Sequence, residues 1–275
     1  MNYLAYHFAV NPPQPGSEIL MAMVADFGFD SFDHTEDGFT AYIPEEQASG
    51  VNLSELQFDD FTYSYSIEKI APTNWNAEWE KNFDPVKVDD LFVIRAPFHE
   101  EDRSVKHNII IMPKMSFGTG HHQTTRLVCR ELFQLELAGR RLLDMGCGTG
   151  VLAIAAKKLG ATDVLGIDID AWSVENSIEN CAVNGCSDIV IKKGDAALLQ
   201  DEAPFDVILA NINKNILKAD LPQYAARLKA GGQLLLSGFF TTDVEELKEV
   251  AAKNSIQFVA MRHENEWAMM LLEKI

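Results

Sequence analysis

From Gly139 onward the chain repeats one pattern, a short apolar run that reads as a strand followed by a longer stretch with helical spacing. The runs fall at 141–145, 163–168, 188–192, 206–211 and 231–238, and the helical stretches near 150–159, 171–184, 214–229 and 242–254. Strands this continuously apolar must be covered on both faces, so the pattern predicts an α/β fold with a parallel sheet between helical layers. After the last helix, 256–263 and 266–273 read as two strands across Glu264-Asn265. The sheet is therefore expected to close with an antiparallel hairpin and to reach seven strands.

The first seventy residues follow a different order. Residues 2–10 suit a strand, Asn11-Pro12-Pro13 and Pro15-Gly16 break it, and Glu18 to Phe27 has helical spacing with Ile19, Leu20, Met23 and Val24 inward. Two short strands near 29–34 and 38–43 join across Glu36-Asp37-Gly38. A second helix is expected from Pro44 to Leu56, and 61–70 alternates like a strand. This β-α-β-β-α-β order predicts a small α+β, ferredoxin-like unit. Between the halves, residues 71–115 hold Trp75 and Trp79, spaced to share one face of a short helix, and then a hairpin with strands near 91–96 and 106–112. The expected organisation is thus 1–70, a linker and hairpin over 71–115, and an α/β domain over 116–275.

Composition narrows the setting. With 47% hydrophobic and 23% charged residues the chain reads as an ordinary globular protein. No run nears the ~20 apolar residues of a spanning helix, and MNYLAYHFAV lacks the basic start of a secretory signal, so a cytosolic protein is expected. The four cysteines, Cys129, Cys147, Cys181 and Cys186, form no Cys-x-x-Cys pair and fit reduced thiols. The net charge is -18, and residues 1–70 hold one basic side chain against twelve acidic ones. Such a field repels bare nucleic acid and attracts basic partners, or else serves only solubility.

The chemistry concentrates at strand ends. Leu142 to Gly150 runs an apolar strand into the turn Gly146-Cys147-Gly148-Thr149-Gly150 and then a helix. Glycines there let a ligand approach main-chain N–H groups. A dinucleotide site would show G-x-G-x-x-G, whereas this turn reads G-x-G-x-G with Asp144 ahead of it. A carboxylate at that place repels a pyrophosphate and accepts from an ammonium group, which points away from NAD and toward S-adenosylmethionine. Asp168, at the tip of the next strand, is placed to accept from both ribose hydroxyls, while Asp170 suits a helix cap. Asp195 either accepts from an adenine amino group or closes an Asx-turn. Asn211 ends the fourth apolar strand, where an amide oxygen would face the reacting centre and orient an amine, and Asn213 suits a cap. Upstream, Phe117-Gly118-Thr119-Gly120-His121-His122-Gln123-Thr124-Thr125 forms a glycine loop before a helix. Adjacent histidines on a helix diverge, and no carboxylate or cysteine completes a set, so no metal site is expected.

Together FGTGHHQTT at 117–125, DMGCGTG at 144–150, GIDID at 166–170 and LANI at 209–212 resemble the methyltransferase family that modifies the large-subunit ribosomal protein L-eleven (L11). The family's usual loop reads FGTGTHPTT, so His121 and Gln123 depart from it, as does Met112-Pro113-Lys114-Met115-Ser116 from a segment usually near DPGLA. The resemblance implies a Rossmann-like, S-adenosylmethionine-dependent methyltransferase domain behind a substrate-recognition domain. It implies that Thr125, Gly146, Asp168 and Asn211 bind S-adenosylmethionine, alongside Asp144, Gly148, Gly150 and Asp195 read from the motifs. The expected reaction is methyl transfer to lysine ε-amines or the α-amine of L11, gripped by the acidic domain without nucleic acid or membrane. A same-fold methyltransferase of another protein or small amine, an NAD-dependent oxidoreductase and a non-catalytic binding module are the competing readings.

Overall fold

The computed structural model describes residues 3–53, 56–70, 83–114 and 116–275. The chain divides into two compact units, Met1–Asn82 and Phe83–Ile275. Trp75, Trp79 and Met115 lie outside the described residues.

The first unit opens with β1 (Tyr3–Asn11), α1 (Pro13–Ala25), β2 (Ser31–Thr35), β3 (Gly38–Pro44) and, after a 3-10 turn at Ala48–Gly50, β4 (Thr62–Ile70). These strands form one antiparallel sheet in the order β2-β3-β1-β4. Helix α1 buries Gly16, Ser17, Leu20 and Val24, whereas Ile19 and Met23 are exposed. The inward face is therefore the narrow stripe at spacing four, not the wider one expected. Gly16 explains the close seating, since a Cβ there would stand 2.8 Å from Val10 and 2.9 Å from Phe61. The helix expected from Pro44 to Leu56 is not formed among the described residues. Gly50 and Asn52 interrupt a segment too short to repay helix nucleation, and its described residues form 3-10 turns instead. Stacked Phe8 and Phe39, with centroids 4.7 Å apart, centre this unit's core.

The second unit begins with β5 (Val86–Val88), β6 (Phe92–Arg95) and β7 (His107–Ile110). Here β5 pairs antiparallel with β6, but β6 and β7 are parallel. The hairpin expected from 91–96 and 106–112 is thus corrected to a crossover. Residues 96–106 give enough chain to bring β7 back in the same direction.

The large sheet is built from β8 (Arg141–Met145), β9 (Asp163–Asp168), β10 (Val190–Lys193), β11 (Phe205–Asn211), β12 (Leu228–Phe240), β13 (Ile256–Glu264) and β14 (Trp267–Lys274). Its helices are α2 (Gln123–Leu132), α3 (Val151–Lys158), α4 (Ala171–Val183), α5 (Lys214–Arg227) and α6 (Val244–Lys253). The order is β10-β9-β8-β11-β12-β14-β13, parallel as far as β12 and antiparallel on both sides of β14. Alternate residues serve opposite cores: Val207 and Leu209 of β11 join one cluster, Ile208 and Ala210 the other. That division is what a sheet buried on both faces requires.

Strand order runs outward from β8 through β9 to β10, then jumps back to β11 on the other side of β8. At such a reversal the loops leaving β8 and β11 part in opposite directions and leave a crevice at the carboxyl edge.

Candidate active site

A cavity of about 490 Å³ occupies that crevice, lined by Phe117, Gly146, Gly148, Asp168, Asn211 and Trp267 among others. Its size falls within the ~300–1,000 Å³ usual for small-molecule sites.

Three loops meet there, and glycine is what lets them interlock. Gly148 has φ +55°, and a Cβ on it would stand 2.3 Å from the Phe117 carbonyl oxygen. Gly238, at φ +94°, leaves the same room for the Ile212 carbonyl. Thr149 ties the turn to the upstream loop, its N–H donating to Phe117 O at 2.9 Å and its hydroxyl to Gly118 O at 2.7 Å. The glycines therefore serve loop-on-loop packing as well as the ligand approach expected from the sequence.

Asp168 sits on the cavity wall with both oxygens engaged. Oδ2 accepts from Gly148 N at 2.9 Å and Oδ1 from Asp170 N at 3.0 Å. A carboxylate has about four acceptor sites, so each oxygen keeps one for a ligand while the backbone holds it still. Asn211 lines the cavity, and its Oδ1 is buried without a partner. A buried amide oxygen left unpaired costs about 1–3 kcal/mol, and a ligand donor would recover that.

Asp144 is placed otherwise. It is 1% exposed, does not line the cavity, and accepts from Ala153 N at 3.0 Å beneath the glycine turn. Burial pushes its carboxyl up to about 7. Thr125 is also buried behind the wall with an unpartnered hydroxyl, and Thr124 is the threonine that lines the cavity. Gly150 caps α3 at φ +78°, and Asp195 caps the 3-10 turn at Ala196–Asp201 by accepting from Ala197 N at 2.9 Å. Neither lines the cavity. Asp170 and Asn213 cap α4 and α5 as expected, and both also line it.

The two histidines diverge. His122 caps α2, its Nδ1 accepting from Thr124 N at 3.3 Å, and faces the cavity. Desolvation and the nearby Arg126 lower its pKa, so it is neutral at pH 7. His121 turns away, with Nδ1 3.1 Å from Thr119 Oγ1 and Nε2 3.1 Å from the Asp84 carbonyl. No group of three or more metal-binding side chains occurs among the described residues. Cys147 sits in the glycine turn, but burial raises its thiol pKa far above the ordinary range and keeps it protonated.

Trp267 was not legible as a site residue. It follows the Glu264-Asn265 turn, and only its antiparallel position at the start of β14 carries it to the carboxyl edge. Also unforeseen is an asparagine ladder along α4 and its C-cap. Asn184 pairs with both main-chain groups of Ile110, and Asn180 accepts from Met112 N at 2.8 Å and donates to Thr149 O at 2.9 Å.

A parallel sheet with a polar cavity at its switch point, an acidic side chain on β9 and a glycine turn after β8 defines the Rossmann-like class of α/β proteins. Comparison with known proteins specifies which member. A family model described as ribosomal protein L11 methyltransferase (PrmA) matches residues 29–274. A protein named ribosomal protein L11 methyltransferase from Bacteroides fragilis is 42% identical, with 98% of each chain covered. One of the same name from Porphyromonas gingivalis is 43% identical over 98% of this chain and 97% of its own. The crystal structure of a ribosomal protein L11 methylase from Lactobacillus delbrueckii subsp. bulgaricus superposes with a TM-score of 0.64 at 28% identity, covering 70% of this chain and all of the other. The chain belongs to the ribosomal protein L11 methyltransferase family.

Proposed function

We propose that this protein transfers methyl groups from S-adenosylmethionine to lysine ε-amines, the α-amine, or both, of ribosomal protein L11. The observation that carries the reading is the pairing of Asp168 with Asn211 across one cavity, the second with a buried acceptor lacking any protein partner. The residues present fit the cofactor. Asp168 keeps acceptor capacity for the two ribose hydroxyls, and Gly146 and Gly148 leave main chain at the cavity surface. Asp144 and Thr125 support that surface from behind, while Gly150 and Asp195 hold the turns on which it rests.

When bound, the sulfonium supplies an already activated methyl group, so what is left to the protein is alignment. Asn211 Oδ1 would accept from the incoming amine and aim its lone pair along the line of transfer. A lysine amine titrates near ~10.4 and an α-amine near ~7.7–8, so a pocket walled by neutral His122 and apolar rings favours the uncharged nucleophile. No general base is assigned, because the proton leaves to water before transfer.

The first unit is read as ferredoxin-like. Its strand order supports this, although a 3-10 turn stands in for the second helix among the described residues. Its acidic surface would grip the basic substrate and disfavour nucleic acid, and the setting would be the cytosol. Among the described residues no helix is long and apolar enough to cross a membrane.

The test is incubation of the chain with labelled S-adenosylmethionine and unmodified ribosomal proteins. Label is expected on L11. Its absence, with S-adenosylhomocysteine still raising the melting temperature, would remove this reading. A shift with NADH instead would favour an oxidoreductase.

A further inference from the structure

One side of the cavity is aromatic. Trp267 packs edge-on against His122, with centroids 4.6 Å apart, and at a tilt of 37° against Phe240 at 4.4 Å. His122 in turn meets Phe117 at 5.2 Å. Phe117, His122 and Trp267 all line the cavity that contains Asn211, and Phe117 is 57% exposed.

Sheet order fixes what these rings can reach. Asp168 ends β9, Asn211 ends β11, and Trp267 starts β14, in the sequence β9-β8-β11-β12-β14. Neighbouring strands lie ~4.8 Å apart, so a ligand whose sugar rests on Asp168 arrives at Asn211 about 10 Å on and leaves the far side free. That far side is where an acceptor amine must enter.

The rings are also held in place. Glu264, three residues before Trp267, accepts from Arg126 Nε at 3.1 Å and Arg130 Nη1 at 2.9 Å, clamping the last hairpin onto α2. His122 caps the same helix and stays uncharged, so the wall carries no positive charge of its own toward an incoming cation.

We propose that Trp267, backed by His122 and Phe117, is the surface that recognises amines already carrying methyl groups, and so determines how many transfers follow the first. The inference rests on the methyltransferase reading above. In each transfer the amine lone pair forms the new N–C bond and the C–S bond breaks with its electron pair left on sulfur; the ammonium formed by a first or second transfer to a primary amine gives a proton to water before the next, and one carrying three methyl groups has none to give. Each added methyl removes one N–H that Asn211 can hold and adds apolar, positively polarised surface. Asn211 therefore serves the early acceptor and the aromatic faces serve the later ones, since ring faces attract an alkylated nitrogen as positive charge develops on it during transfer.

Two measurements decide it. The unaltered full chain, saturated with S-adenosylhomocysteine, is titrated with choline and with its uncharged isostere 3,3-dimethylbutanol. Choline is expected to bind roughly tenfold tighter, a preference that Trp267→Leu abolishes and Trp267→Phe keeps. Equal binding of the two probes, or a preference that survives Trp267→Leu, overturns the proposal. In the second, the number of methyl groups on L11 is followed by intact mass. The rate of second transfer relative to first should fall roughly tenfold in Trp267→Leu. An unchanged ratio overturns the proposal, because a merely structural defect slows every transfer in proportion. Should the unaltered chain bind S-adenosylhomocysteine yet leave L11 unmodified, the functional reading fails, and the choline comparison alone judges Trp267.

Discussion

Asp144 faces a conflict that a single carboxyl resolves by titrating. Its burial disfavours charge, one backbone N–H favours it, and the net effect raises its pKa from the usual carboxylate range to about 7. A group protonated more readily in the folded state contributes stability that is complete below its unfolded pKa, near ~3.9, and is lost as pH rises toward 7. Asp206, Glu202 and Glu264 are shifted the other way by their basic partners, so their contributions vanish only below that window. Burial lowers the pKa values of His107 and His122, which therefore gain stability with rising pH in the same window, so the Asp144 contribution is read as a difference: the melting temperature of the unaltered chain relative to Asp144→Asn should decline between pH 5 and 7. A slope identical in the variant would show that the carboxyl is already ionised at pH 5. Residue identity at this site was readable in advance, because the glycine turn and its flanking acids are local in sequence. Burial was not, since whether Asp144 meets the ligand or lies beneath the turn depends on how α3 seats against β8.

At the scale of elements, the ladder on α4 does what a neighbouring strand would do. Asn176, Asn180 and Asn184 recur every four residues and hold the main chain at Ile110 and Met112, while Asn180 also reaches Thr149 in the glycine turn. Asn180 is fully buried. Replacing it by Ala strands Met112 N–H and Thr149 carbonyl together, and the expected cost is about 1–3 kcal/mol, read from the shift in urea midpoint. A loss under about 0.5 kcal/mol would mean that water replaces the amide at both groups. These spacings resemble an ordinary polar helix face, which is why the sequence does not announce them. The parallel strands of the large sheet were legible because apolar runs and helices alternate within thirty residues or so. The β6–β7 crossover was not, since Phe92–Arg95 and His107–Ile110 suit either direction equally.

Among the described residues the hydrophobic core falls into three clusters. The buried residues of one run from Tyr6 to Phe61, and those of the other two from Val88 onward. The cavity proposed for the cofactor is lined by residues of the second unit, while the dense acidic charge belongs to the first. Removing residues 1–70 should leave S-adenosylhomocysteine binding intact and abolish methylation of L11, as checked by calorimetry and by label transfer. Parallel loss of both would show that the units depend on each other to fold. The boundary itself shows how far single-sequence reading goes. The change in patterning at 70 was visible, but the assignment of residues 83–112 to the second unit rests on long-range packing of Val88, Phe92, Ile94, Ile109 and Ile111 into its core and on Asn184, seventy-four positions downstream of Ile110.

The order in which the large sheet is filled differs from the order in which it is made. Strand β14 is threaded between β12 and β13, although it follows both along the chain. Nothing translated earlier can occupy that slot, so an emerging polypeptide exposes the flanks of β12 and β13 until residues 267–274 clear the exit tunnel. Trp267 is the first of those residues. The cavity at the carboxyl edge thus acquires its final wall in the same event that seals the sheet, and a nascent chain cannot bring it to completion before that moment.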